Sequence, residues 1–248
     1  MTTASDNGQN FSVTSWIIPK IFYFCKKFKE TGKMIFNNEM ATDVAKYLLD
    51  IKAVKLNVSH PFTWASGIKS PIYCDNRKTL SYPEVRTYIS KSMVKIIREK
   101  YPDVEVIAGV ATGAIAVGML VAQELQLPYV YIRSSKKDHG LQNKIEGNLE
   151  IGKKVVVIED LISTGQSSLD AVKALREVES KVLGMVAIYT YGLPVSISNF
   201  KSEDCELTTL TDYDITISTA AKTNYIMENE METLKEWKKD PASWWKEC

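Results

Sequence analysis

The stretch VVVIEDLISTGQSS, residues 155–168, decides how the rest of the chain is read. Four consecutive apolar residues, Val155 to Ile158, closed by polar turn formers, predict a strand covered on both faces of a sheet. The adjacent carboxylates Glu159 and Asp160 follow, then a loop of small residues. Leu169, Val172 and Leu175 next recur at helical spacing, with Ala171, Ala174 and Val178 beside them. The order is strand, acidic pair, loop, helix.

A loop that follows a parallel strand lies at the carboxyl edge of the sheet, where open α/β sheets bind ligands. The helix after it presents unpaired N–H groups and the positive end of its dipole, so a phosphate fits there. Ser163, Thr164, Ser167 and Ser168 add hydroxyl donors, and Gly165 permits positive φ and close backbone approach. Two carboxylates repel a phosphate placed directly on them, so Glu159 and Asp160 suit hydroxyls or a bound cation. A ligand carrying a phosphate, a diol and a metal satisfies the whole stretch. An ordinary strand-to-helix turn capped by Ser and Thr would use the same residues.

Outward from this element, strands and helices alternate. Strands are predicted over 104–110, 127–132, 155–158 and 182–189, separated by helices over 114–125 and 166–179. Such alternation implies a parallel sheet with right-handed crossovers. Before it, 40–51 and 84–100 read as amphipathic helices, with Ser81 and Glu84 as a capping box and Pro83 inside the first turn. After it, 206–211 reads as a strand and 224–239 as a helix. Trp237, Trp244 and Trp245 in the tail are expected to pack on the core or on a partner subunit.

The run 155–168 resembles the phosphoribosyl pyrophosphate motif of type I phosphoribosyltransferases. The resemblance implies that Glu159 and Asp160 hold the ribose hydroxyls, that Ser163, Thr164, Gly165, Gln166 and Ser167 take the 5′-phosphate, and that Leu161 and Ile162 between them also belong to the phosphoribosyl pyrophosphate site. Two further segments narrow it. YIRSSKKDHG, residues 131–140, followed by Ile145-Glu146-Gly147, resembles the catalytic loop of orotate phosphoribosyltransferases. Residues 133–144 carry four basic residues against one aspartate, a local charge of +3 in a chain whose total is +1. A polar run of this length at a sheet edge has the character of a lid, although a solvated basic loop has the same composition. By resemblance Arg133, Lys137 and His139 act on the pyrophosphate leaving group, and Asp160 joins them as a catalytic residue.

FTWASGIKSPIYCDNRK, residues 62–78, resembles the orotate-site segment of the same family, in the branch that has Ala65 where other members carry Lys. From its residues alone it is a hairpin or hood piece packed by Phe62, Trp64 and Tyr73. Ser163 is implied as an orotate contact. Two positions depart from the family pattern. Ser134 stands where many members place a second basic residue, which leaves Lys136 without an assigned role. GVATGAIAVG, residues 109–118, occupies the place of the pyrophosphate-binding loop but lacks the Lys some members have there, so binding would fall to backbone N–H groups of Ala111 to Ala114. In the resembled family this loop often contains a cis peptide.

The fold expected is therefore α/β, the type I phosphoribosyltransferase fold: a central parallel sheet flanked by helices, with a small N-terminal hood. Residues 1–33 are an extension of unknown role, and 34–248 form the domain, with the hood at about 56–80, the core at about 84–220 and a helical tail. The resemblance implies transfer of phosphoribosyl to orotate in pyrimidine synthesis, with Mg2+ as cofactor and a homodimer with shared sites. The alternatives are a phosphoribosyltransferase for another base and a non-catalytic regulator that binds phosphoribosyl pyrophosphate.

Composition agrees without selecting. At 248 residues and 45% hydrophobic content the chain can bury one substantial core. A net charge of +1 argues against a nucleic-acid surface. Cys25, Cys74, Cys205 and Cys248 are isolated, with only His60 and His139 beside them in the sequence, so neither a protein zinc site nor a disulfide framework is expected, and a cytoplasmic location suits them. No apolar run approaches the roughly 20 residues of a membrane helix. GNLEIGKK, residues 147–154, has P-loop spacing, yet Lys154 stands where Ser or Thr should ligate magnesium, and the segment precedes its strand.

Overall fold

The computed structural model describes residues 34–64, 66–133 and 144–245. Met34–Cys248 forms one compact unit. Its centre is a six-stranded sheet built from β5 (Val106–Val110), β6 (Tyr129–Ile132), β7 (Ile145–Glu146), β8 (Lys154–Ile162), β9 (Lys181–Thr190) and β10 (Leu207–Asp212). The order is β10-β9-β8-β5-β6-β7, parallel throughout except for the antiparallel β6–β7 edge.

The unbroken apolar run of β8 has its reason in this arrangement. Val156 and Ile158 point into one core, shared with Ile107, Val186 and Ile188. Val155 and Val157 point into a second core on the opposite face, shared with Val106, Ala108, Met185 and Ala187. Alternate residues of a strand face opposite sides, so only a strand covered on both sides can be apolar throughout. Helices α1 (Asn38–Asp50), α2 (Pro83–Lys100) and α3 (Ala114–Leu125) contribute to the first core. Helices α4 (Gln166–Glu177) and α5 (Pro194–Ser202) contribute to the second. Helices α6 (Tyr213–Lys222) and α7 (Glu230–Lys239) close the first core, where Trp237 is wholly buried.

The hood consists of two small antiparallel pairs, β1 (Val54–Leu56) with β4 (Ile72–Cys74) and β2 (Phe62–Thr63) with β3 (Lys69–Ser70). A 3-10 helix, Asn76–Ser81, leads from it into α2.

Several local expectations are corrected. Ser81 and Glu84 form no capping box: Ser81 belongs to the 3-10 helix, and Tyr82, without a side-chain cap, precedes Pro83 at the start of α2. The helix expected over 224–239 begins at Glu230, because Asn224 turns the chain at φ +55°. A helix not expected, α6, precedes that turn; Asp212 caps it by accepting the Ile215 N–H at 2.8 Å. Helix α5 and the edge strand β7 were likewise not anticipated. The 147–154 segment does run into the amino end of β8, away from the carboxyl edge.

Candidate active site

Strand β8 extends four residues beyond its apolar run, through the acidic pair to Ile162. Pairing with β9 carries it there, through Leu161 opposite Tyr189 and Ile162 opposite Thr190. Leu161 packs against the first core and Ile162 lies in the second, so at these two positions only backbone is left to the site. Ser163, Thr164 and Gly165 form the turn into α4. Its conformation is fixed from outside: the Tyr191 N–H donates to the Ile162 carbonyl at 3.1 Å, and Asn199 of α5 donates to the Thr164 carbonyl at 3.0 Å. Gly165 has φ +79°, and a Cβ there would stand 2.6 Å from the Phe200 ring. Both the backbone conformation and the space require glycine. The loop thus delivers Gln166 and Ser167, both exposed, to the first turn of α4, where helical N–H groups lack helical partners.

The two carboxylates occupy different environments. Glu159 is 5% exposed and accepts hydrogen bonds from Ser168 Oγ at 2.7 Å and from the Asp160 N–H at 2.9 Å. Burial, and after it the negative charge of Asp160, push its carboxyl well above the ordinary range. Ser168, expected among the phosphate donors, is instead 1% exposed with its hydroxyl committed to Glu159. Asp160 is partly exposed. Its carbonyl accepts from Asn76 Nδ2 at 2.6 Å, and its carboxylate lies against Gly113, where any Cβ would overlap it.

The expected 109–118 loop is only a short turn, residues 111–113, between β5 and α3; its Ala111–Thr112 peptide is cis, and Gly113 ends it. Its φ is −62°, so glycine is required by space alone. Gly113→Ala is therefore expected to leave the fold intact while displacing the Asp160 carboxylate, with a fall in kcat on the order of 100-fold. Steady-state kinetics beside a thermal melt check this, and wild-type kcat in the folded variant would show that the contact is without consequence.

Arg133 follows β6 and donates its N–H to no strand partner in the sheet interior; it bonds the Lys144 carbonyl at 2.8 Å across the ends of the basic loop. Its guanidinium lies 3.5 Å from Glu146. A cavity of about 60 Å³ brings Arg133 and Lys144 together with Ala111, Ser167 and Asp170. The basic loop, the 111–113 turn and the start of α4 thus meet at one place. Lys137 and His139 lie outside the described residues, as does Ala65. Sequence reasoning gave Asn76 and Lys144 no role of their own and counted Gly113 only among backbone N–H donors. Lys144 had a signal, its place in the basic run, whereas the other two act through contacts that no local pattern records.

The hood reaches the same edge. Trp64 lies 5.0 Å from the Tyr191 ring and 5.6 Å from Trp237, and its Nε1 donates to the Ile72 carbonyl at 3.1 Å. Phe62 and Tyr73 pack at 5.8 Å. Tyr191 follows directly on β9, whose end pairs with Ile162, so this aromatic wall adjoins the loop that carries Ser163, itself partly exposed. Among the described residues, no three His, Cys, Asp or Glu gather as a metal cage. Asp160 alone of the acidic pair is open to solvent as a donor.

Comparison with known proteins shows the family. The phosphoribosyl transferase domain matches residues 80–201. The orotate phosphoribosyltransferase of Porphyromonas gingivalis is 57% identical over 201 residues, 81% of this chain and 96% of that protein. The orotate phosphoribosyltransferase of Enterococcus faecalis is 54% identical over 208 residues, 84% of this chain and 99% of its own length. Among solved structures, that of orotate phosphoribosyltransferase from Aeropyrum pernix superposes with a TM-score of 0.64 at 23% identity, covering 74% of this chain and 99% of that one. At that identity the likeness speaks for the fold.

Proposed function

The chain belongs to the orotate phosphoribosyltransferase family, and on that premise we propose how its residues divide the work of joining orotate to phosphoribosyl pyrophosphate. The observation that carries the division is the convergence of three segments on the carboxyl edge of the sheet: Glu159 to Ser167, the 111–113 turn with Arg133, and the hood. The loop from Ser163 to Ser167 and the start of α4 receive the 5′-phosphate. Asp160 orients the ribose hydroxyls. Glu159, buried and bonded to Ser168, fixes the first turn of α4 relative to β8. Backbone N–H groups of the 111–113 turn, with Arg133, Lys137 and His139, take the pyrophosphate, and the hood with Ser163 takes the base.

In the reaction an orotate nitrogen forms a bond to the ribose C1 as the bond to pyrophosphate breaks and its electron pair departs with the leaving group. No nucleophilic side chain is needed. Catalysis is positioning together with stabilisation of charge at a cationic C1 and an anionic leaving group. The donor set suits Mg2+ carried in on substrate oxygens, since such ions keep few protein ligands; Asp160 is the residue that would hold it. When bound, the ion supplies neutralisation of pyrophosphate charge.

A homodimer with shared sites is supported by the outer face of α3, AIAVGMLVAQEL, which has a single charged residue and leaves Met119 44% and Leu120 38% exposed. A cytoplasmic setting is supported by the free, buried Cys74 and Cys205. Among the described residues no helix is long and apolar enough to cross a membrane. The Met34 carbonyl accepts the Thr209 N–H at 2.8 Å on the β10 edge.

Pyrophosphate release measured across a panel of bases tests the reading. Orotate should support turnover, and uracil and hypoxanthine should not. Turnover with either of those two but not with orotate would assign the hood to another base.

A further inference from the structure

We infer that Asn76 is a positioning residue for catalysis: its side-chain amide holds the Asp160 peptide and thereby aims the Asp160 carboxylate at the ribose. The inference rests on the reading of Asp160 as the ribose-orienting carboxylate. Asn76 is 2% exposed, and a buried amide must find partners for both its oxygen and its nitrogen. Both are present. Nδ2 donates to the Asp160 carbonyl at 2.6 Å, and Oδ1 lies 3.4 Å from Cys74 Sγ, which donates to it. The alternative amide orientation would set oxygen against the Asp160 carbonyl and NH2 against the thiol hydrogen, so the orientation is fixed by chemistry. Burial, and next the charge of Asp160, push the Cys74 thiol well up, which keeps its hydrogen in place for that bond.

The position of Asp160 explains why such a bond matters. Strand β5 pairs with β8 only as far as Ile158, opposite Gly109, whereas β9 continues to Ile162. Beyond Ile158 the ladder therefore supports β8 on one side, and Asn76, at the start of the 3-10 helix that follows the hood, supplies a hydrogen bond to the carbonyl of Asp160. The carboxylate of the same residue is bounded by Gly113. Tilting the Asp160 peptide would swing its Cα–Cβ bond, and the carboxylate has no room to swing toward Gly113. The clamp spans 84 residues of sequence and joins the segment read as the base site to the carboxylate read as the ribose site.

A double-mutant cycle with Asp160→Asn tests this. Asn76→Asp keeps the shape but removes the donor and sets oxygen against oxygen; Asn76→Ala, which introduces no charge, carries the same cycle should the Asp variant fold poorly. With Asp160 present, either change is expected to lower kcat on the order of 10-fold to 100-fold. In the Asp160→Asn background the same change should cost less than about 3-fold, because the group through which Asn76 acts is already disabled. Equal losses in both backgrounds would assign Asn76 to general structural support and overturn the inference alone. Wild-type kcat in both folded Asn76 variants would do the same. Full activity in Asp160→Asn by itself would overturn the reading of Asp160 and this inference with it.

Discussion

Asp160→Asn is expected to lower turnover on the order of 10-fold to 1000-fold while the protein still folds. The substitution keeps the volume and removes one negative charge, which on the proposed assignment faces a ribose whose C1 turns cationic as pyrophosphate leaves. Glu159 is poorly placed to compensate. Its carboxyl is buried, both its oxygens already accept hydrogen bonds, and its proton is held well above the ordinary range. The deficit should fall on kcat more than on the KM for phosphoribosyl pyrophosphate, since Arg133 and the Ser163–Ser167 loop, the proposed phosphate-binding groups, are untouched. A thermal melt separates loss of chemistry from loss of fold: Asp160 is partly exposed and its structural bonds are made by its backbone, which Asn retains. Unchanged kinetics in the folded variant would return the acidic pair to an ordinary strand end.

The legible part of the fold was the part written in periodicity. An apolar run covered on both faces announces a central parallel strand, and β8, β5 and β9 were found from that signal alone. The end of β8 was not, because the apolar run breaks at Glu159 and Asp160, and the strand geometry of Glu159 to Ile162 is imposed by pairing with β9. Helix α6 was missed for a related reason. Its core residues Tyr213, Ile217 and Ala220 keep helical spacing, but Thr216 and Thr219 between them are buried as well and blur the stripe. The Asp212 cap was the clearer sign of where that helix begins.

The site divides along the same line. That Glu159, Asp160 and the Ser163–Ser167 loop lie together at the end of a strand was legible, because strand, loop and helix termini are local. What each carboxylate does was not. Nothing in the sequence distinguishes Glu159 from its neighbour, and the difference arises from the 9-residue step to Ser168, through the Ser163–Gly165 turn, which brings a hydroxyl to one carboxylate only. Gly113 and Asn76 touch Asp160 from the 111–113 turn and the 3-10 helix after the hood, at separations where a single sequence carries no signal. The consequence for design is direct: the residues whose alteration should affect Asp160 most are not those adjacent to it in the chain.

Mixing two nearly inactive variants is expected to restore activity. In the resembled family the basic loop reaches into the neighbouring subunit's site, so each site would take Arg133, Lys137 and His139 from one chain and Glu159 to Ser167 from the other. A two-fold axis makes that exchange reciprocal. Homodimers of Lys137→Ala and of Asp160→Asn then carry a defect in both sites. A heterodimer gathers both defects into one site and leaves the other intact, so it should recover up to about half the wild-type rate per dimer if the sites are independent. A loop serving its own chain would give each site of the heterodimer one defect, and subunit exchange would restore nothing. The two arrangements therefore predict opposite results from one mixture, read as pyrophosphate release after heterodimers carrying two different tags have been isolated. Silence from a verified heterodimer would remove the shared-site arrangement and leave the roles of Lys137 and Asp160 within a single chain.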